Sequence, residues 1–220
     1  MKMLKKRLSA PFKSIDELVM ADKNIPIKIY GLANPGSEFP NHANAGILFF
    51  GPNGTGKTTI AKLIPDLFEK RSGNPNPAHY ELRKCGVGPS GVEMLSKLDT
   101  LTDLAPFSSS CGFHYVILDE VDNLSSEAMK RLKSLMNKSN VVFILTTNNI
   151  KDIDKGVQNR STLIHVDKPS AEQWLPWVKM YLEGHTTEQV MDLIRSTDLS
   201  GREIVKVIYR VWNEKEFIHY

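Results

Sequence analysis

The feature that most restricts the fold of this chain is the stretch GPNGTGKTT, residues 51–59. It matches the pattern GxxxxGK[ST], with glycine, glycine, lysine and threonine at the fixed positions. A buried-strand pattern, GILFF, precedes it, and a segment with helical periodicity follows. Glycines let backbone N–H groups surround a phosphate, and the start of the helix adds positive potential. The alternative, a chance match in a glycine-rich turn, is disfavoured by these flanks. The stretch predicts strand, phosphate loop and helix in that order.

In loops of this pattern, the lysine contacts the outer phosphates of a nucleotide and the next hydroxyl faces Mg²⁺. Lys57 and Thr58 occupy these two positions. The predicted nucleotide-binding residues of the loop are Gly51, Pro52, Asn53, Gly54, Thr55, Gly56, Lys57, Thr58 and Thr59.

Short apolar runs bounded by turn residues predict four strands, at 46–51, 115–120, 141–146 and 162–166. The more polar segment HYELRK predicts a fifth strand at 79–84. Helical patterns lie between them, at 57–71, 91–104 and 125–137. Continuous apolar strands alternating with helices predict an α/β domain around a parallel five-stranded sheet. The turn-rich segments 33–45 and 72–78 are predicted to be exposed loops.

After Pro169 the strand patterns stop. Residues 171–183, 186–196 and 200–213 have the pattern of three helices, with Ser200 as N-cap of the last. We therefore predict an α/β domain over residues 1–168 and a small all-helical domain over 169–220. Packing within the helical domain is the expected role of its tryptophans.

Two carboxylates end the strand pattern YVILDE. Ligands bind at the carboxyl ends of the strands in folds of this class. Asp119 is therefore predicted to hold Mg²⁺ together with Thr58, and Glu120 to deprotonate an attacking water. The alternative for this pair is a solvent-facing acidic strand end. For Asp122, a helix-entry role is at least as well supported as a ligand role.

Another apolar strand pattern, VVFILTTNNI, ends in polar residues. Asn148 is a candidate to hydrogen-bond the attacking water or the terminal phosphate. Its neighbour Asn149 is predicted to be a turn residue.

Composition excludes some classes of protein. No apolar run is long enough to span a bilayer, and the basic start lacks the apolar core of a secretory signal. Cys85 and Cys111 are predicted to be free thiols of a reduced, cytoplasmic protein, nuclear if eukaryotic. The alternative is a metal site with His79 and His114. The net charge of +3 is compatible with a nucleic-acid partner but does not identify one.

Taken together, these motifs resemble the AAA+ ATPases, and among them the clamp-loader small subunits of the replication factor C type. The resemblance covers roughly residues 10 to 210. The segments that carry it are PFKSIDELV (11–19), YELRKCGVGPSGVEML (80–95), ILDEVDNLSSEAMKRLKSLM (117–136) and FILTTNNIKDIDKGVQNRS (143–161).

The resemblance implies an Mg²⁺-dependent ATPase that forms ADP and phosphate, with a helical lid after the α/β domain. By it, Asn148 matches sensor 1 and Arg160 matches the arginine finger, which reaches the ATP site of a neighbouring subunit. Local sequence alone offers Arg160 no partner. Arg202 is similar to sensor 2, although it follows Gly201 directly and the family places this arginine later.

Three departures from clamp loaders are visible. The finger segment is NRS rather than Ser-Arg-Cys, no cysteine cluster for zinc is present, and the sequence has no match to the collar domain. These departures leave the subfamily open.

The resemblance also places the helix after Asp119 and Glu120 against DNA. That helix carries Lys130, Arg131 and Lys133, with Lys138 just beyond, while its apolar stripe faces the core. Outward cations can pair with phosphates, and a solvated basic face is the alternative. A second basic patch consists of Lys2, Lys5, Lys6 and Arg7, for which an unstructured tail is the preferred alternative.

Three functions remain open at this point. The first is a clamp-loader-like ATPase that assembles on double-stranded or primed DNA with neighbouring AAA+ subunits and a sliding clamp. The second is a helicase loader or transposition regulator. The third is a protein remodeller or scaffold, which the aromatic-free segment KCGVGPSG disfavours because threading enzymes carry an aromatic pore loop.

Overall fold

The computed structural model describes residue 8 and residues 12–41, 43–87, 90–106 and 109–217. The predicted strands are present within a residue or two of their expected ends. They are β1 (Gly46–Phe50), β2 (Tyr80–Lys84), β3 (His114–Asp119), β4 (Val141–Thr147) and β5 (Ser161–His165).

All five strands are parallel and form one sheet in the order β2-β3-β4-β1-β5. In this order β4 is central, between β3 and β1, and all its residues are buried. Because the strands are parallel, their carboxyl ends meet at one edge. The sheet therefore brings the ends of β1, β3 and β4 together, as the strand patterns predicted.

Helices connect the strands. Those described are α1 (Asn24–Leu32), α2 (Lys57–Arg71), α3 (Gly91–Thr102), α4 (Ser126–Leu135), α5 (Lys155–Asn159), α6 (Ala171–Lys179), α7 (Thr187–Arg195) and α8 (Gly201–Phe217). The sequence did not predict α1, which contains both proline and glycine and has only a weak apolar stripe. The helix predicted for 171–183 ends at Lys179, while α8 extends beyond the predicted end at 213.

The sheet is covered on both faces. Side chains of α3 and α4 pack against Leu48, Leu118 and Phe143 in one continuous apolar cluster, while α2 packs against β1, β3 and β4. Ile47 and Phe49, which alternate with Leu48, are also completely buried. Burial on both faces explains why β1, β3 and β4 are continuous apolar runs rather than alternating ones, whereas the outer strands β2 and β5 are more exposed and more polar.

The chain divides into two compact units. One comprises Asn24–Gly51 and Lys57–His165. The other comprises Val166 onward, Pro52–Gly56 and the described residues up to Lys23. The domain boundary between residues 168 and 169 stays a prediction.

Two segments predicted to be exposed are partly buried. Within 33–45, Phe39 packs its ring 5.9 Å from that of Phe68 on α2. Within 72–78, Asn74 is buried and its side-chain amide donates to Glu69 at 2.8 Å. Turn-rich composition located the loops correctly, but it did not reveal that side chains such as Phe39 and Asn74 anchor them to α2.

The helical unit has its own core. An aromatic series runs through it from Trp174 to Trp177, Tyr181 and Trp212, with ring centroids between 4.8 and 6.2 Å apart. The indole N–H of Trp174 donates to the carbonyl of Leu199, and that of Trp212 to the carbonyl of Tyr181. Packing is thus the observed role of these tryptophans. In the described part of the chain, no helix is long and apolar enough to cross a membrane.

Candidate active site

The loop Gly51–Gly56 links β1 to α2 and depends on glycine at three positions. Gly51, Gly54 and Gly56 have φ values of 139°, 78° and 91°, a region that side-chain-bearing residues rarely adopt. A Cβ atom on Gly54 would also lie 2.6 Å from the Cβ of Ser200. The conformation of this loop therefore depends on its glycines.

Lys57, the first residue of α2, keeps its ammonium group inside this loop. The side chain is buried, and Nζ donates to the carbonyl of Gly51 at 2.8 Å. Burial lowers the pKa of Lys57, and the carboxylates of Asp119, Asp122 and Glu120 oppose that shift. A buried cation at a helix N-terminus suits an anionic ligand.

Asp119, at the end of β3, is held by two hydroxyl groups. Its Oδ1 accepts from Thr58 Oγ1 at 2.6 Å and from Thr146 Oγ1 at 2.7 Å. We name Lys57, Thr58, Asp119, Glu120 and Thr146 the sheet-edge cluster. Thr58 can donate its proton to Asp119 and still present oxygen lone pairs to a cation.

The oxygen atoms of Asp119 and Thr58 fit Mg²⁺, which prefers hard oxygen ligands and usually keeps several waters and substrate phosphates. Within the described residues, no group of three or more His, Cys, Asp or Glu side chains is placed to hold a metal. His114 instead contacts the carbonyl of Leu104, and both cysteines are free. Among the described residues, one carboxylate and one hydroxyl are thus the oxygen ligands that this place offers to a Mg²⁺ ion.

Glu120 lies just outside β3, not at its end as the pattern YVILDE predicted. Its backbone is left-handed, with φ 58° and ψ 53°, and its N–H donates to Thr146 Oγ1 at 3.0 Å. The turn explains why the strand stops at Asp119. The half-exposed carboxylate of Glu120 lies 3.3 Å from Lys84 Nζ and 3.4 Å from Asn123 Nδ2.

The two asparagines after β4 differ. Asn148 is half-buried, and its side chain makes no hydrogen bond to any described residue. Asn149 accepts from the N–H of Lys151 and donates to Asp152, which confirms its turn role. The amide of Asn148 is thus available to a ligand at the same sheet edge.

Arg160 has partners within the chain that local sequence did not reveal. Its Nε donates to Asn137 Oδ1 at 3.0 Å and its Nη1 to the carbonyl of Gly156 at 3.1 Å. Its own carbonyl accepts from the N–H groups of Ala45 and Gly46 at the start of β1. The backbone and the guanidinium of Arg160 are therefore both fixed, and the side chain is half-buried.

Within the helical unit, the start of α8 contacts the phosphate loop. The N–H of Gly201 donates to the carbonyl of Gly54 at 3.0 Å, and Ser200 caps the helix by accepting from the N–H of Glu203. The predicted N-cap is confirmed. Arg202 follows directly, is exposed, and makes no hydrogen bond or ion pair with a described residue.

The basic residues of α4 are mostly paired with acids. Arg131 lies 3.4 Å from Asp99, and Lys133 lies 3.6 Å from Asp154. Burial alone would lower the pKa of Lys138, which lies just beyond α4, but the hydrogen bonds that its ammonium group donates to Asp103 and Asp99 raise it. Within the described residues Lys130 is exposed and has no such pair. The basic patch predicted at Lys2, Lys5, Lys6 and Arg7 lies outside the described residues.

Two further members of this neighbourhood, Thr146 and Lys84, were not predicted from the sequence. Both stand at strand ends beside Asp119 and Glu120. The position of these residues in the sequence could have revealed them. Strands β2 and β4 flank β3, so polar residues at their carboxyl ends must lie beside Asp119 and Glu120.

Comparison with known proteins agrees with this geometry. Residues 47–167 match the "ATPase family associated with various cellular activities (AAA)". This match covers more than half of the chain and spans the whole sheet-edge cluster.

Several curated relatives are replication factor C subunits. One from Staphylothermus marinus is 27% identical over 74% of this chain and 49% of its own length. Another from Encephalitozoon cuniculi is 29% identical over 67% and 47%, respectively. Small subunit 2 from Pyrobaculum arsenaticum is 31% identical over 54% and 36%. The chain spans about half, or less, of the length of these relatives.

Solved structures share the fold at low identity. The Holliday junction branch migration motor RuvB of Thermotoga maritima has a TM-score of 0.73 at 17% identity, covering 95% of this chain and 67% of that one. PCH-2 of Caenorhabditis elegans has a TM-score of 0.62 at 20% identity, covering 84% and 61%. The fold therefore includes the helices after the sheet as well as the sheet itself. With a family match across the phosphate loop and the strand-end acids, the chain belongs to the family of ATPases associated with various cellular activities.

Proposed function

We propose that this chain binds ATP with Mg²⁺, hydrolyses it to ADP and phosphate, and acts as a clamp-loader-like subunit that assembles on DNA. The observation that carries the ATPase part is the sheet-edge cluster. In this cluster, Asp119 Oδ1 accepts a hydrogen bond from the hydroxyl of Thr58, the residue after the phosphate-loop lysine. Glu120 is the next residue after Asp119. Family membership supports the same reaction.

In the proposed mechanism, Lys57 binds the outer phosphates from within the glycine loop. Asp119 and Thr58 would hold Mg²⁺, which when bound neutralises negative charge on the phosphate oxygens. Glu120 accepts the proton of the attacking water, so that the oxygen can bond to phosphorus as the bond to ADP breaks. The side-chain amide of Asn148 orients that water. Each role follows from a side chain at the carboxyl edge of the sheet.

Arg160 is proposed to complete the site of a neighbouring subunit rather than its own. Its carbonyl is bonded to the start of β1, whereas the chain's own loop follows the end of that strand. An arginine supplied by another subunit can stabilise the negative charge on the transferred phosphoryl group. This stabilisation can raise the rate of hydrolysis by orders of magnitude. Turnover would then require an oligomer, and Arg202 is proposed to contact the nucleotide from the start of α8.

DNA and a protein partner are proposed from the relatives. These relatives are replication factor C subunits, and the motifs before and after β3 resemble those of clamp loaders. Lys130 is the strongest candidate contact for a phosphate, since Arg131 and Lys133 would have to exchange an acidic partner for it. A sliding clamp is the proposed protein partner, and a helicase is the other candidate. The proposed location is the cellular compartment that holds the DNA.

The test measures steady-state ATP hydrolysis with and without primed duplex DNA, at about 50 and about 200 mM salt. Wild type is expected to require Mg²⁺ and to be stimulated by DNA, with less stimulation at the higher salt. Lys57→Ala is expected to lose nucleotide binding, because it removes the cation of the phosphate loop. The matched control is Lys62→Ala, an exposed lysine further along α2, which should behave as wild type.

Two results would contradict the proposal separately. Unchanged ATP affinity in Lys57→Ala, or no hydrolysis by wild type, would overturn the ATPase. A rate that ignores DNA at both salts would overturn the DNA part alone and indicate a protein as the activating partner.

A further inference from the structure

We propose that Thr146 is a positioning residue for ATP hydrolysis, because its single hydroxyl group holds both the Asp119 carboxylate and the backbone of Glu120. The inference rests on the proposed ATPase function. It adds a residue that contacts neither the nucleotide nor the water and acts through the two acids.

A hydroxyl group at this place needs an explanation. Thr146 lies in the central strand β4, is 1% exposed, and follows the apolar residues Val141–Leu145. A valine would have nearly the same shape and would avoid burying a polar atom. Buried hydroxyls are retained where they find hydrogen-bond partners. Both partners of Thr146 lie at the end of β3, and neither belongs to its own strand.

The chemistry of the two partners fixes the direction of both hydrogen bonds. An ionised carboxylate only accepts, so the hydroxyl proton of Thr146 points at Asp119 Oδ1, 2.7 Å away. A lone pair then faces the N–H of Glu120, which donates to it at 3.0 Å. One hydroxyl group therefore orients two consecutive acidic residues, because it donates to the carboxylate of one and accepts from the backbone N–H of the other.

The bond to Glu120 acts on a backbone that is costly to form. Glu120 is left-handed, which for a residue with a side chain is unfavourable unless the surroundings hold it. This backbone conformation determines the direction in which the carboxylate of Glu120 leaves the end of β3. Without the Thr146 hydroxyl, the N–H of Glu120 loses its described partner and the turn loses one of its constraints.

The bond to Asp119 leaves room for a cation. Thr58 and Thr146 both donate to Oδ1, while Oδ2 accepts no hydrogen bond from a described residue. Two donors on one oxygen fix the rotation of the carboxylate. Asp119 Oδ2 then keeps a constant position relative to Thr58 Oγ1. These are the two oxygen atoms that would face Mg²⁺.

The experiment compares Thr146→Val, which removes the hydroxyl at constant shape, with Thr146→Ser, which keeps it. The control is Thr102→Val, because Thr102 is a similarly buried threonine on α3 whose hydroxyl bonds Leu98 and Lys138 instead. Hydrolysis is measured at saturating ATP across a Mg²⁺ titration, and nucleotide binding is measured separately without Mg²⁺. Thermal unfolding of each variant is recorded alongside.

For Thr146→Val we expect turnover to fall about 10- to 100-fold and half-saturation to need more Mg²⁺, the usual range for partners of metal-site ligands. Nucleotide binding without Mg²⁺ should stay at the wild-type level. Thr146→Ser should recover most of the turnover. Thr102→Val should match Thr146→Val in thermal stability while keeping wild-type turnover.

A wild-type turnover and Mg²⁺ dependence in Thr146→Val would overturn the inference while the ATPase stands. An inactive wild type would instead remove the proposed function. If Thr146→Val does not fold, Thr146→Ala and Thr146→Ser replace it, since these two differ by one oxygen. Equal turnover in those two variants would also overturn the inference.

Discussion

Several of the predicted functional residues are held in place by partners far along the chain. Asp119 is bonded to Thr58 and Thr146, and Arg160 to Asn137. The sequence predicted the identity of the acids and of the phosphate loop, because each lies in a short motif with its own local physics. It could not predict Thr146 or the partners of Arg160, because those contacts exist only once distant strands and helices are adjacent.

Replacing Glu120 with glutamine tests its role as base. Glutamine keeps the size of the side chain but cannot accept the proton, so turnover should fall by about 10²- to 10⁴-fold. ATP affinity should stay close to that of wild type, because Lys57 and the glycine loop are intact. Turnover and binding of a fluorescent ATP analogue are measured together, with the exposed Glu127→Gln on α4 as control. Normal turnover in Glu120→Gln would assign the base to another residue.

At the scale of elements, the strands were predictable and several helix ends were not. Burial on both faces of the sheet requires continuous apolar runs, and the sequence displays these directly. Helix ends depend on local caps and on packing. The helix predicted to reach residue 183 stops at Lys179, and Glu120 ends its strand early by turning left-handed. Loop anchors such as Phe39 and Asn74 depend on contacts with α2, which no local pattern encodes.

The last turn of α2 is fixed by a buried carboxylate, which predicts a pH effect. Glu69 accepts four hydrogen bonds, from Ser109 Oγ, the Ser110 N–H, Tyr115 Oη and Asn74 Nδ2. Burial alone would raise the pKa of Glu69, but these bonds lower it from 4.5 to about 2. The folded state therefore favours the ionised form.

Because the folded pKa is depressed, this stabilisation is complete above pH 4.5 and is lost as the pH falls towards 2. Glu69→Gln should lower the free energy of unfolding at neutral pH by about 2 kcal/mol, since it leaves donors unpaired. It should also flatten the pH dependence between these limits. Urea unfolding at several pH values measures both effects, with Glu127→Gln as the exposed control. An unchanged slope in Glu69→Gln would show that other groups dominate acid unfolding.

At the scale of the whole molecule, we propose that ATP hydrolysis requires an assembly of several subunits. The chain spans about half or less of the curated relatives described above, so its oligomeric contacts are proposals that mutants must test. Arg160 is the residue through which subunits would depend on each other.

Mixing two inactive variants tests this dependence. Arg160→Ala should bind ATP and lose most of its turnover, while Lys57→Ala should fail to bind ATP. In a mixed oligomer, an Arg160→Ala subunit supplies an intact phosphate loop and a Lys57→Ala neighbour supplies the arginine, so part of the activity should return. ATP hydrolysis is followed over a series of mixing ratios, with Arg71→Ala, an exposed arginine on α2, in place of Arg160→Ala as control. Absence of rescue at every ratio would rule out action between subunits.

Strand β1 connects the neighbourhood of Arg160 to the phosphate loop. Its amino end is bonded to the carbonyl of Arg160, and its carboxyl end continues into the loop that begins at Gly51. Five residues of parallel strand, roughly 16 Å, thus separate the start of the phosphate loop from the carbonyl of Arg160, the residue that we propose acts on a neighbouring subunit. A strand buried between β4 and β5 does not stretch, so a shift at one end is transmitted to the other. In a closed oligomer, nucleotide binding at one site would then influence ATP hydrolysis at the next site. The order in which subunits hydrolyse ATP would depend on this single strand.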